Sequence, residues 1–96
     1  MRKNWTIIDR WDVDDGAEDM IVTDGEKTRL LARRHNLGAA DPATWCMAYD
    51  CGNADAKDVR DSVSEGGEHI AIIAERYQPL DWPSCVVANI ANAARA

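Results

Sequence analysis

Three cysteines and two histidines carry the side chains best suited to metal or nucleophilic chemistry: Cys46, Cys51, Cys85, His35 and His69. Four residues separate Cys46 from Cys51, within the loose end of zinc-ligand spacing, but no second paired knuckle accompanies them. If a helix starting at Asp41-Pro42 runs through both, five steps of helical rotation place the thiols about 140° apart. They converge only if that helix ends near Tyr49. Cys46 or Cys85 with either histidine is a nucleophilic pair on paper. Neither cysteine stands in a thiol-activating motif, although a helix N-terminus would lower the pKa of Cys85. The run Asp12-Val13-Asp14-Asp15-Gly16 suggests a calcium loop. With Gly16 at the sixth position, however, Trp11 and Val13 fall where ligands are needed, and neither can ligate. No glycine-rich phosphate loop, nucleophile elbow or zincin pattern is present. The expectation is a non-enzymatic chain with no catalytic residue, cofactor or metal.

The same acidic run has a second chemistry, charge recognition. Asp9 to Glu26 holds eight acidic residues and one basic one, and Lys27 to Arg34 holds four basic residues and no acid. Trp5, Ile7, Trp11 and Val13 share one parity, interrupted by Asp9, as in a half-buried strand. Asp15-Gly16 supplies a type I′ turn, since Gly tolerates the positive φ required. Closure there pairs Asp14 with Ala17 and Trp11 with Met20, and sets Asp12 opposite Asp19 on the outer face. Like charges across strands are unfavourable, so Asp12, Asp14, Asp15, Glu18 and Asp19 become the candidate partner-binding residues. Their structural alternative is a well-solvated hairpin tip, with Arg29, Arg33 and Arg34 neutralising it inside the fold.

The remaining elements frame that hairpin. Thr23-Asp24-Gly25-Glu26 has capping-box spacing and predicts a helix to about Leu37, stopped by Gly38. The rival is a second hairpin turning at Asp24-Gly25. Asp41-Pro42 predicts a helix carrying Trp45, Ala48 and Tyr49 on one face. Ala54 to Ser64 predicts another, with Ala56, Val59 and Val63 buried. Glu68 to Tyr77 reads as a central strand, with a helix through Ile70, Ile73, Ala74 and Tyr77 as the alternative. Asp81-Trp82-Pro83-Ser84 opens a last helix with Val86, Val87, Ile90, Ala93 and Ala94 in one stripe. The expected fold is α+β: one domain over residues 1–96, a small antiparallel sheet of the N-terminal hairpin and a third strand, packed against about four helices.

Composition bounds the partners. Ninety-six residues with a net charge of −6 lack the cationic face that nucleic acid or anionic membrane requires. An odd cysteine count and no apolar run of signal or membrane length suit a reduced, cytoplasmic protein. In size, acidity, lack of catalytic motif and hairpin-then-helix start over Trp5 to Leu37, the chain resembles short phage and prophage accessory proteins of the anti-CRISPR and anti-restriction type. The resemblance implies a basic, nucleic-acid-binding protein surface as partner, such as a nuclease or surveillance complex. The alternative is a homo-oligomeric structural module, self-associating through Ala88, Asn89, Ala91 and Asn92 of the last helix. A small metal-binding or thiol enzyme domain is the third reading.

Overall fold

The computed structural model describes residues 4–14, 16–35, 44–65 and 70–94. The elements run β1 (Thr6–Asp14), β2 (Ala17–Thr23), β3 (Thr28–Arg34), β4 (Thr44–Asp50), α1 (Ala56–Glu65), α2 (Ile70–Arg76), β5 (Gln78–Leu80) and α3 (Ser84–Ala93). The strands form one antiparallel sheet in the order β1-β2-β3-β4-β5. The chain is thus α+β, a four-strand meander extended by a short fifth strand, with three helices among the described residues.

Both sheet faces are covered, so β2 and β3 bury side chains of both parities. On one face Trp11, Ile21, Leu30, Ala32 and Tyr49 pack beneath Val59 and Val63 of α1 and Ile73 of α2. On the other, Met20, Val22, Leu31, Trp45 and Ala48 pack beneath Val87 and Ala91 of α3. Trp5 and Trp82 meet edge to face at 6.3 Å and flank that second core. Asp55 begins α1, its carboxylate accepting the Lys57 amide at 3.0 Å, an N-cap arrangement.

The structure corrects several expectations. The capping-box residues close a β-turn instead of a helix. Asp24 Oδ1 accepts the Glu26 and Lys27 amides, Thr23 Oγ1 accepts the Gly25 amide, and Gly25 takes φ +98°. The second hairpin is therefore the one formed, and Thr28 to Arg34 is its return strand. Residues 44–50, expected in a helix, are β4. Pairing against β3 buries Tyr49 on one face and Ala48 on the other. The start expected at Asp41-Pro42 lies outside the described residues. Within Glu68–Tyr77, residues 70–76 are helical, so the third strand comes from elsewhere. Ile73 is buried while Ala74, Glu75 and Arg76 are exposed, a one-sided burial that suits a helix over a completed sheet.

The first hairpin forms with a different register. Asp14 pairs with Ala17, but irregularities between Ile7 and Asp9 and between Asp12 and Asp14 each absorb one residue. Trp11 consequently lies opposite Asp19, and Asp12 opposite Glu18. A one-residue slip transfers side chains to the other face. Ile7 thus joins the α3 face, whereas Trp11 and Val13, of the same sequence parity, join the α1 face.

Candidate functional site

The five predicted acidic residues are not gathered on one surface. Asp19 is fully buried, on the α1 face beside Trp11. Its Oδ1 accepts a hydrogen bond from Arg34 Nη2 at 2.8 Å. Arg34 also donates to the carbonyls of Glu18 and Arg33. Glu18, likewise buried, pairs closely with Arg10 and stands 3.9 Å from Arg33. Asp12 is exposed. Asp14 closes the hairpin through its backbone pairing with Ala17, and Asp15 lies outside the described residues. Gly16 takes φ +75°, the backbone state expected of the turn glycine.

The basic segment does what charge pairing inside the fold requires. Arg29 reaches Asp50 at 2.8 Å, and Arg33 and Arg34 serve β2 as above. Arg60 of α1 reaches Asp9 at 3.1 Å and stacks over the Trp11 ring with its guanidinium carbon 5.0 Å from the centroid. These contacts tie α1 to β1 through one ion pair and one cation–π contact.

Pairing of the arginines within the chain leaves the unpaired surface charge mostly acidic. Among the described residues, Asp12, Glu26, Asp55, Asp58, Asp61, Glu75 and Asp81 are exposed and have no ion-pair partner within 4 Å. The cations in the same condition are Lys27, Lys57 and Arg76. Asp58 and Asp61 stand on the side of α1 opposite Val59 and Val63. The amphipathic pattern that identified the buried stripe of this helix also marks these two as its outward residues.

Beneath that helix, two buried polar atoms have no hydrogen-bond partner among the described residues: Trp11 Nε1 and Tyr49 Oη. Burial pushes the Tyr49 phenol up to about 12, against the opposing pull of Arg34. Cys51 is pushed up to about 12 by burial as well. Burial raises the Cys46 thiol, whose Sγ approaches the Ala32 carbonyl at 3.9 Å. Low-pKa nucleophilic thiols have the opposite tendency. Cys85 is exposed at the start of α3. Among the described residues no three His, Cys, Asp or Glu side chains converge as a metal would need, and no helix is long and apolar enough to cross a membrane.

Comparison with protein-family models, with curated proteins and with solved structures finds no match to this chain.

Proposed function

We propose that this chain is a non-enzymatic interaction protein that docks its acidic exterior on a basic, nucleic-acid-binding surface of another protein. The mode of action is steric or mimicry-type inhibition of a host defence complex such as a CRISPR effector, acting in the cytoplasm. One observation carries the reading: Arg10, Arg29, Arg33, Arg34 and Arg60 are each ion-paired to a carboxylate of the same chain, Arg29 and Arg34 largely buried and the others at the surface, so among the described residues the unpaired surface charge is predominantly carboxylate. An excess of one sign steers association with the opposite one and is weakened by salt. Glu18 and Asp19 are engaged internally, which shifts the proposed contacts to Asp12, with Asp58 and Asp61 added from α1. The neighbouring hairpin-tip acids Asp14 and Asp15 remain part of the proposal.

The test is affinity capture from bacterial lysate at low and high salt, with mass spectrometry of what is retained. The control carries Asp12, Asp58 and Asp61 changed to Lys. The expected result is a nucleic-acid-binding complex retained by the natural sequence, released by salt and absent from the control. Equal retention by both proteins sinks the charge mechanism.

Self-association is the second reading, and α3 favours it. Trp82 to Ala94 contains no charged residue, and Val86 remains 38% exposed. A mass that doubles with concentration, and reverts in a Val86→Glu variant, would support it.

A further inference from the structure

The two edges of the sheet differ in what they offer. β5 is three residues long and contains Pro79, which has no amide hydrogen to share. β1 is nine residues long and terminal in the sheet, so its outer row of backbone donors and acceptors faces no other described strand. Such an edge is a template for a further strand, although the Arg10 amide here donates to Asp9 Oδ1 at 2.8 Å and an added strand would have to replace that bond. Ile8, on this strand, is 47% exposed, more than Val86, the other large apolar side chain exposed among the described residues. The irregularities at Ile8 and Val13 confine the uninterrupted ladder to Asp9 through Asp12. Bulges of this kind stop open-ended pairing and re-aim side chains at sheet edges. The edge therefore suits a short segment.

Charge selects the occupant. Arg10 is neutralised by Glu18, and Asp9 by Arg60, which leaves Asp12 as the exposed charge of the regular stretch without an ion-pair partner. A second copy of β1 would add another exposed Asp12 to a seam already holding one. A cationic strand would instead place opposite charges side by side. We infer that the outer edge of β1 is a strand-addition site for a short extended segment of a partner protein in which lysine or arginine alternates with apolar residues. The basic side chains lie beside Asp12, and an apolar residue at the end of the segment, beyond the regular ladder, meets Ile8. The inference rests on the acidic-surface reading and specifies its mode of contact.

The test uses the full chain and an eight-residue peptide alternating lysine and valine. Its partners in the experiment are the same peptide with alternate backbone amides methylated and a glutamate–valine counterpart. Binding is followed by NMR titration, and hydrogen exchange of the Asp9 to Asp12 amides is recorded with and without peptide. The lysine–valine peptide is expected to bind and to slow exchange in that stretch. Methylation is expected to abolish both effects, and the glutamate–valine peptide is expected not to bind. Asp12→Lys should weaken binding on the order of tenfold, while Glu75→Lys, on α2 beside β5 at the opposite sheet edge, leaves it unchanged. Binding that methylation does not affect, or that leaves β1 exchange unaltered, overturns strand addition while the acidic-surface reading stands. Absence of binding also overturns it, and the lysate capture then judges the acidic surface separately.

Discussion

Replacing Asp19 by Asn is the sharpest test of the buried pairing. The substitution keeps the side-chain shape and removes the charge that faces Arg34, whose own side chain is only 13% exposed. At 2.8 Å and an effective dielectric near 20, the Coulomb attraction is roughly 6 kcal/mol before desolvation is counted. Desolvation offsets much of that for the intact pair. It makes matters worse for the variant, because the Arg34 guanidinium stays buried and loses the Asp19 carboxylate. Removing one partner of such a pair costs about 3–5 kcal/mol, against a total stability of about 5–14 kcal/mol for a chain of this length. With an urea slope of roughly 1.5 kcal/mol/M, the midpoint should fall by about 2–3 M. Asp19→Leu combined with Arg34→Met should be less damaging than either change alone, since no charge is then stranded. Urea titrations of the four proteins, followed by tryptophan fluorescence and circular dichroism, supply the comparison. A loss below about 1 kcal/mol in Asp19→Asn would refute the reasoning.

Two further outcomes follow from groups on the same face of the sheet. Tyr49 and Cys51 titrate near 12 in the fold, against ordinary values of 10 and 9. A raised folded value means that their stabilising contribution is complete below the unfolded value and is lost as pH rises toward the folded one. Stability should accordingly decline between about pH 9 and 12. Tyr49→Phe, which also removes an unpartnered buried hydroxyl, should make that decline shallower above about pH 10 in pH-dependent urea titrations, leaving the part due to Cys51. Arg60→Ala removes the Trp11 contact and the Asp9 ion pair together, at a half-exposed position. A cost of about 0.5–1.5 kcal/mol is expected, with a shift in tryptophan emission. Unchanged emission would show that Arg60 does not rest on Trp11 in solution.

The parts of the fold legible in sequence were those with local causes. Gly16 marked the first turn, Ala56, Val59 and Val63 marked the inner side of α1, and Pro83-Ser84 marked the start of α3. In that last helix Ala91 is buried, whereas Val86 and Ala93, assigned to the inner stripe, stay exposed. What failed depended on distant neighbours. Arg29 to Arg34 is rich in good helix formers, yet it lies between two strands whose pairing overrides that preference. The β-branched run at Ile70 to Ile73 looked like a buried strand because its sequence alone cannot tell that the sheet is complete without it. The candidate acids were misplaced for a subtler reason. A bulge at Ile8 puts Ile7 and Trp11 on opposite faces and one at Val13 shifts the register by one residue, and nothing in the alternation of β1 announces either. Asp19 keeps its place in the alternation of β2, but α1 covers the face expected to be outer, so Asp19 lies in the core, where Arg34 meets it.

The meander has a consequence for how the chain assembles during synthesis. Strands β1 to β4 pair only with sequence neighbours, a topology of short loops whose closure is quick relative to distant pairings. Their cover is supplied by residues 56–93, which leave the ribosome afterwards. At about 5–20 residues per second, roughly 2–9 s separate completion of β4 from completion of α3. Throughout that interval both apolar faces of β2 and β3 are open to any other nascent strand. Asp9, Asp12 and Asp14 along the free edge then serve as gatekeepers, because strands of like charge repel one another before the helices arrive.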